Sequence, residues 1–239
     1  MTDHRTGRHA QQHQDIEREQ LLMEYASGTL NHAFQLLLSS YISYCKESRQ
    51  FVSECEEIGG MMIEKITCSP NDMAATSLNN VLERIDALER CQKQARLCRA
   101  AKRRQAFLQQ IDTLPRPLAR YIEKENLAPK WRRIRSGTLY YEIPTQDKTS
   151  HVMLMKIKPG GKAPAHAHHS HEVTLVLDGA VIDDDAVYQK GQMVIHEAGS
   201  SHAPVADRHE GCICLVATDG DTPLALTGRL MQLLGKLSR

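Results

Sequence analysis

The chain has 239 residues, 41% hydrophobic and 25% charged, which supplies one or two cores and excludes a chain disordered throughout. Thirty basic residues against 29 acidic ones leave a net charge of +1, so no large field holds the molecule on nucleic acid. No apolar run approaches the roughly 20 residues of a membrane span, no signal-like segment opens the chain, and seven cysteines show no dense even spacing, so a cytoplasmic protein without membrane association is expected.

Residues 1–14 are polar and His-rich and are expected to form a flexible N-terminal segment. A helical unit over residues 15–92 follows. Its first helix starts near Asp15 and stops at Ser27-Gly28. A second starts at Asn31, where Phe34, Leu37, Leu38, Tyr41, Ile42 and Cys45 keep the i, i+3, i+4, i+7 rhythm and make an apolar stripe that needs a partner surface. A third covers Phe51 to about Lys65, Ser69-Pro70-Asn71-Asp72 is turn chemistry, and a fourth places Leu78, Val81, Leu82, Ile85 and Leu88 on one side. A bundle of about 75 residues buries a limited fraction of its surface and gains from a partner.

Residues 93–117 read as a basic helical linker, with Lys93, Arg96, Arg99, Lys102, Arg103 and Arg104 on a solvated face and Pro115 and Pro117 breaking it. No groove-reading motif accompanies these charges, so direct DNA binding is not expected. Trp131 marks the start of the next unit. From residue 118 to 230, short apolar runs alternate with Gly, Pro, Asp and Ser clusters as in an all-β domain, and residues 231–239 are a tail. The predicted class is therefore a multidomain α+β chain, a small N-terminal helical bundle followed by a C-terminal all-β unit.

Eight of the twelve histidines lie between His151 and His209. His166 and His168 are two apart, so on a strand both imidazoles face one way. Glu172 follows four residues later, just before the apolar run Val173 to Leu177, and a turn brings its carboxylate back over them. His202 closes a Gly-bounded strand and turn that begins at Gly191. Three imidazoles and one carboxylate suit zinc, iron, manganese, nickel or copper and suit calcium poorly. His169, His171 and His196 are left out of this set, His196 being expected at the surface. Asp183-Asp184-Asp185 reads as a solvated hairpin turn, and Cys212 and Cys214 share one face of a strand as small buried residues.

Gly160, His166, His168, Glu172 and Gly179 occupy every position of the first motif of the cupins, which implies a double-stranded β-helix, or jelly-roll, barrel. Gly191, Gly199 and His202 match the second motif, while Glu197 stands for its proline and Ala206 for its asparagine. With the segment Leu21 to Ser48 and the runs Thr174 to Ala180 and Cys212 to Asp219, the chain resembles the ChrR family of anti-sigma factors. That resemblance implies a helical domain that sequesters an extracytoplasmic-function sigma factor and a cupin domain that binds zinc and responds to oxidative, particularly photo-oxidative, stress. On this reading Phe34, Leu37, Leu38, Ile42, Val81 and Ile85 form the sigma-binding face. The family's first domain carries a zinc signature, H-x-x-x-C-x-x-C, whose positions are here Tyr41, Cys45 and Ser48. One thiolate cannot close a four-coordinate site, so the helical unit is predicted to be metal-free, with Tyr41 filling the vacated volume. The alternative is a metal-dependent cupin enzyme, a dioxygenase or isomerase, with an accessory helical domain. Arg208 is the only arginine between His151 and Gly228, which leaves that enzyme without a clear substrate clamp.

Overall fold

The computed structural model describes residues 3–66, 79–85, 105–107, 114–125, 127, 129–135, 137–147, 149–163, 165–168, 170–183 and 186–219. Three helices come first: α1 (Asp3–Ala26), α2 (His32–Tyr44) and α3 (Lys46–Glu64). The sequence places the start of α1 near Asp15, but the helix begins at Asp3. Nothing in the polar stretch before Asp15 breaks a helix as proline would, and Gln14 anchors it. The Gln14 amide donates to the carbonyl of Ile195 at 2.6 Å and accepts from the Ile195 N–H at 3.0 Å.

Asn31 caps α2, its side chain accepting from the Phe34 N–H at 3.1 Å. Cys45 is extended (φ −101°, ψ 112°), which ends α2 and caps α3 in one residue, so α3 starts at Lys46 instead of Phe51. Helical backbone covers 79–85, where Val81 is 52% and Ile85 47% exposed. Leu78, Leu88, the Ser69–Asp72 turn, the basic stretch Lys93–Arg104 and the tail 231–239 lie outside the described residues. Pro115 and Pro117, expected to break a helix, begin one: α4 (Arg116–Lys124). Proline lacks a backbone N–H, and the first turn has no use for one. Leu118 and Ile122 of α4 are fully buried, and Tyr121 Oη donates to the Pro144 carbonyl at 2.8 Å.

Ten antiparallel strands follow among the described residues. They are β1 (Arg132–Arg135), β2 (Thr138–Ile143), β3 (Ser150–Ile157), β4 (His166–Ala167), β5 (Glu172–Asp183), β6 (Ala186–Gln189), β7 (Met193–His196), β8 (Ser201–His202), β9 (Val205–Ala206) and β10 (Cys212–Asp219). The main sheet runs β1-β2-β3-β10-β5-β6 with β7 and β9 also on β5, and β4 pairs with β8 apart from it. Gly179 divides β5. Its first half pairs with β10 and β7, its second with β6 and β9. Gly179 has φ 67°, and a Cβ there would sit 2.1 Å from the Gly211 carbonyl oxygen, so only glycine lets the strand pass from one partner set to the other.

The core has two layers. Along β10, Cys212, Cys214 and Val216 face one apolar cluster with Met153, Ile157, Val176 and Val181, the barrel interior. The intervening Ile213, Leu215 and Ala217 face the other way, into a cluster with Leu154, Leu175 and the helical residues Leu22, Phe34, Leu37 and Leu38. Phe34, Leu37 and Leu38, expected on a sigma-binding face, therefore lie against the protein's own sheet, at 2%, 0% and 0% exposure. The stripe on α2 does need a partner surface, and β3, β5 and β10 supply it, because a strand apolar at successive positions must be covered on both faces. Ile42 is half-buried at the edge of this layer.

Candidate metal centre

The short β4–β8 ladder sets His166 directly opposite His202. It continues past β4, where the His168 N–H donates to the Ser200 carbonyl at 2.9 Å and the Gly199 N–H to the His168 carbonyl at 2.8 Å. Glu172 opens β5, between Thr218 of β10 and His196 of β7. These pairings bring the four expected ligands together. His166 Nε2 and His168 Nδ1 lie 3.8 and 3.7 Å from Glu172 Oε2, His202 Nε2 lies 3.7 Å from Glu172 Oε1, and His202 Nε2 is 3.0 Å from His166 Nε2. One ligand atom from each of the four falls within 4.8 Å of every other.

The donors fit a transition ion. Nitrogen and oxygen ligands about 2.0–2.2 Å from a tetrahedral metal are themselves about 3.4 Å apart, and the contacts of 3.0–3.8 Å found here bracket that value. His168 Nε2 is buried without a hydrogen-bond partner, an orphaned polar atom in a cage that is otherwise tightly connected. Burial pulls the His168 imidazole down to about 4. For Glu172, burial acts upward, and it is outweighed by the hydrogen bond with His166 and the facing imidazoles, so the carboxyl is held below its ordinary value. Neutral His168 beside ionised Glu172 is the protonation state that a cation requires.

A pH dependence follows for the metal-free protein. In the unfolded chain His168 takes up a proton near pH 6.5, while in the folded protein it does so only near 4, so between these values the unfolded state binds more protons. Stability is complete above pH 6.5 and falls as pH drops towards 4, by up to about 3 kcal/mol at 1.36 kcal/mol per pH unit. Urea unfolding of chelator-treated protein at pH 7.5 and 4.5 checks this, and His168→Gln should flatten the dependence.

Two side chains missed by the sequence reading stand beside the cage. His196 is 8% and Asp183 5% exposed, so neither is at the surface. Asp183 Oδ2 lies 2.7 Å from His202 Nδ1 and 2.9 Å from His196 Nε2. The aspartate run reads as a solvated turn by composition, but its first member is the last residue of β5 and points inward. Cys212 and Cys214 share the barrel interior, where hydrogen bonding with Cys212 and burial push the Cys214 thiol up. In the helical unit, Tyr41, Cys45 and Ser48 converge: Ser48 Oγ lies 3.3 Å from Tyr41 Oη and the Ser48 N–H donates to Cys45 Sγ at 3.5 Å.

Residues 125–220 match the ChrR cupin-like domain. Beyond the barrel, the chain is 33% identical over 215 residues to the anti-sigma-E factor ChrR of Cereibacter sphaeroides, covering 90% of this chain and 92% of that protein. The chain belongs to the ChrR family of anti-sigma factors. The solved complex of Rhodobacter sphaeroides SigE with the anti-sigma ChrR is similar at a TM-score of 0.62 and 31% identity, covering 84% of this chain and 96% of that one. ChrR membership makes the chain a regulator and sets aside the dioxygenase or isomerase alternative. Among the described residues no helix is long and apolar enough to cross a membrane.

Proposed function

We propose that the helical unit sequesters an extracytoplasmic-function sigma factor in the cytoplasm, acting on that protein and not on DNA, and that the barrel holds one zinc ion through His166, His168, Glu172 and His202. The observation that carries this reading is identity to an anti-sigma factor along both halves of the chain together with an intact four-ligand cage. Phe34, Leu37 and Leu38 serve the internal interface, so the sigma factor is met by apolar side chains left outside it. Val81 and Ile85 are such residues, with Ile42 at their margin in burial, and Ile58, Met62 and Ile63 on α3 are 55%, 65% and 69% exposed.

The helical unit works without a metal of its own. Tyr41 occupies the first position of the family's zinc signature and is buried, hydrogen-bonded to Ser48 at the third. The barrel responds to oxidative stress. Zinc, when bound, supplies a redox-inert cross-link between β4, β5 and β8, and its loss loosens the strands around the cage. Gln14 of α1 grips Ile195, next to His196, so a change at the cage reaches the helices through β7. Co-expression with an extracytoplasmic-function sigma factor of the same organism should yield a one-to-one complex, and Val81→Asp with Ile85→Asp should weaken it at least tenfold without altering circular dichroism. Release under singlet oxygen should be lost in His166→Ala. An unweakened complex would remove the sigma-binding face, and release by His166→Ala as in the wild type would remove sensing through the metal.

A further inference from the structure

We propose that Asp183 and His196 form an outer carboxylate–imidazole layer that fixes the ring of His202 for metal binding and balances the charge of the cage. The inference rests on the four-ligand reading above and adds two positioning residues to it. His202 has two ring nitrogens with opposite tasks. Nε2 faces Glu172 and His166, while Nδ1 lies 2.7 Å from Asp183 Oδ2. A neutral imidazole carries one proton, and a carboxylate accepts but cannot donate. The proton therefore sits on Nδ1, donated to Asp183, and Nε2 presents its lone pair to the ion. Without Asp183 nothing on that side holds the tautomer, and a proton on Nε2 would face the cation.

His196 Nε2 lies 2.9 Å from the same Asp183 oxygen, and the His196 and His202 rings touch at a tilt of 51° with centroids 4.0 Å apart. The His196–Asp183 contact holds the carboxylate in place. Charge points the same way. A divalent ion among three neutral imidazoles and one carboxylate leaves a buried positive charge, and a second buried carboxylate one ring away cancels it. Asp183 reaches this position because β5 turns at Gly179, so that its first residue, Glu172, and its last, Asp183, line one cavity of about 50 Å³. Asp183, His196 and His202 also stand close enough to hold an ion of their own. With the cage filled as well, His202 would have to give up its one ring proton and bind through both nitrogens, whereas its Nδ1 contact with Asp183 is already satisfied as a hydrogen bond.

The test uses full-length protein, zinc and cobalt(II), and competition with a chromophoric chelator. Wild type should bind one equivalent. Asp183→Asn should bind at least tenfold and up to about 100-fold more weakly, the range seen when such outer partners are removed. The loss should vanish in a His202→Ala background, because Asp183 acts through that ring. His196→Gln, which keeps a donor to Asp183, should stay within about threefold of wild type. Asp183→Ser gives the same comparison if Asp183→Asn does not accumulate. The inference is overturned if Asp183→Asn lowers the melting point of metal-free protein yet leaves affinity unchanged, a purely structural role. It is equally overturned if wild type binds two equivalents and Asp183→Asn one. Absence of any binding by wild type would overturn the cage itself, and the outer layer with it.

Discussion

Adding excess zinc to metal-free protein should raise its melting midpoint by about 10 °C. The four donors come from β4, β5 and β8, which meet only in the folded barrel, so the ion binds the native state and has little affinity for the unfolded chain. Free zinc at about 1,000 times its dissociation constant stabilises by about 4 kcal/mol. For a domain of roughly 150–250 residues, each kcal/mol moves the midpoint by about 2–4 °C. Glu172 is 5% and His168 3% exposed, so removing either leaves the remaining donors buried and incomplete. Glu172→Gln or His168→Ala should abolish the increment, and a chelator should return wild type to the metal-free value. Cys45→Ser should change neither the increment nor the stoichiometry of one ion per chain if, as proposed, the helical unit works without a metal. Scanning calorimetry with elemental analysis measures both. A midpoint indifferent to zinc would remove the cage from the account, and a Cys45-dependent second ion would restore a metal to the helices.

The cage was legible because its information is local. His166, His168 and Glu172 are set by a two-residue strand period and one turn, and His202 follows from a second Gly-bounded strand. Its surroundings were not. Asp183 stands in a run of three aspartates, a composition that reads as a turn, and only the bend of β5 at Gly179 carries it inward. His196 had a readable sign. It ends the strand Met193–His196, whose last three residues are all buried, and pairing with β5 at Glu172 puts its last side chain beside the cage.

The helix–barrel interface was half-visible. Periodicity marks the stripe on α2 but cannot say what it covers. The complementary sign lies in β10, whose six successive residues Cys212 to Ala217 are all buried. A barrel strand with one wet face would alternate. Read together, the two signs point to each other, and the stripe needs no second protein. The prolines before α4 mislead for a different reason: the same lack of an N–H that ends a helix suits the first turn of one, and the apolar spacing of Leu118 and Ile122 decides between them.

Leu37→Ala should lower the stability of the whole chain by about 3 kcal/mol and shift one shared transition. Leu37 is fully buried, in a single apolar layer that includes Leu154, Leu175 and Leu215 of the barrel. Truncating a buried leucine removes its transfer free energy and leaves a cavity, at about 2–5 kcal/mol in all. If the helices were an independent bundle, the loss would fall on them alone. Here the same layer closes the outer face of β3, β5 and β10, so water admitted at Leu37 also reaches the sheet. Helical circular dichroism and fluorescence of Trp131, whose ring packs 5.7 Å from Phe107 beside this layer, should therefore move together in urea. Val81→Ala, at a position 52% exposed, should change stability by less than about 0.5 kcal/mol and affect only the partner complex. Two separated transitions in Leu37→Ala, with the barrel's midpoint unmoved, would show that helices and barrel fold independently and that β10 does not depend on α2 for its cover.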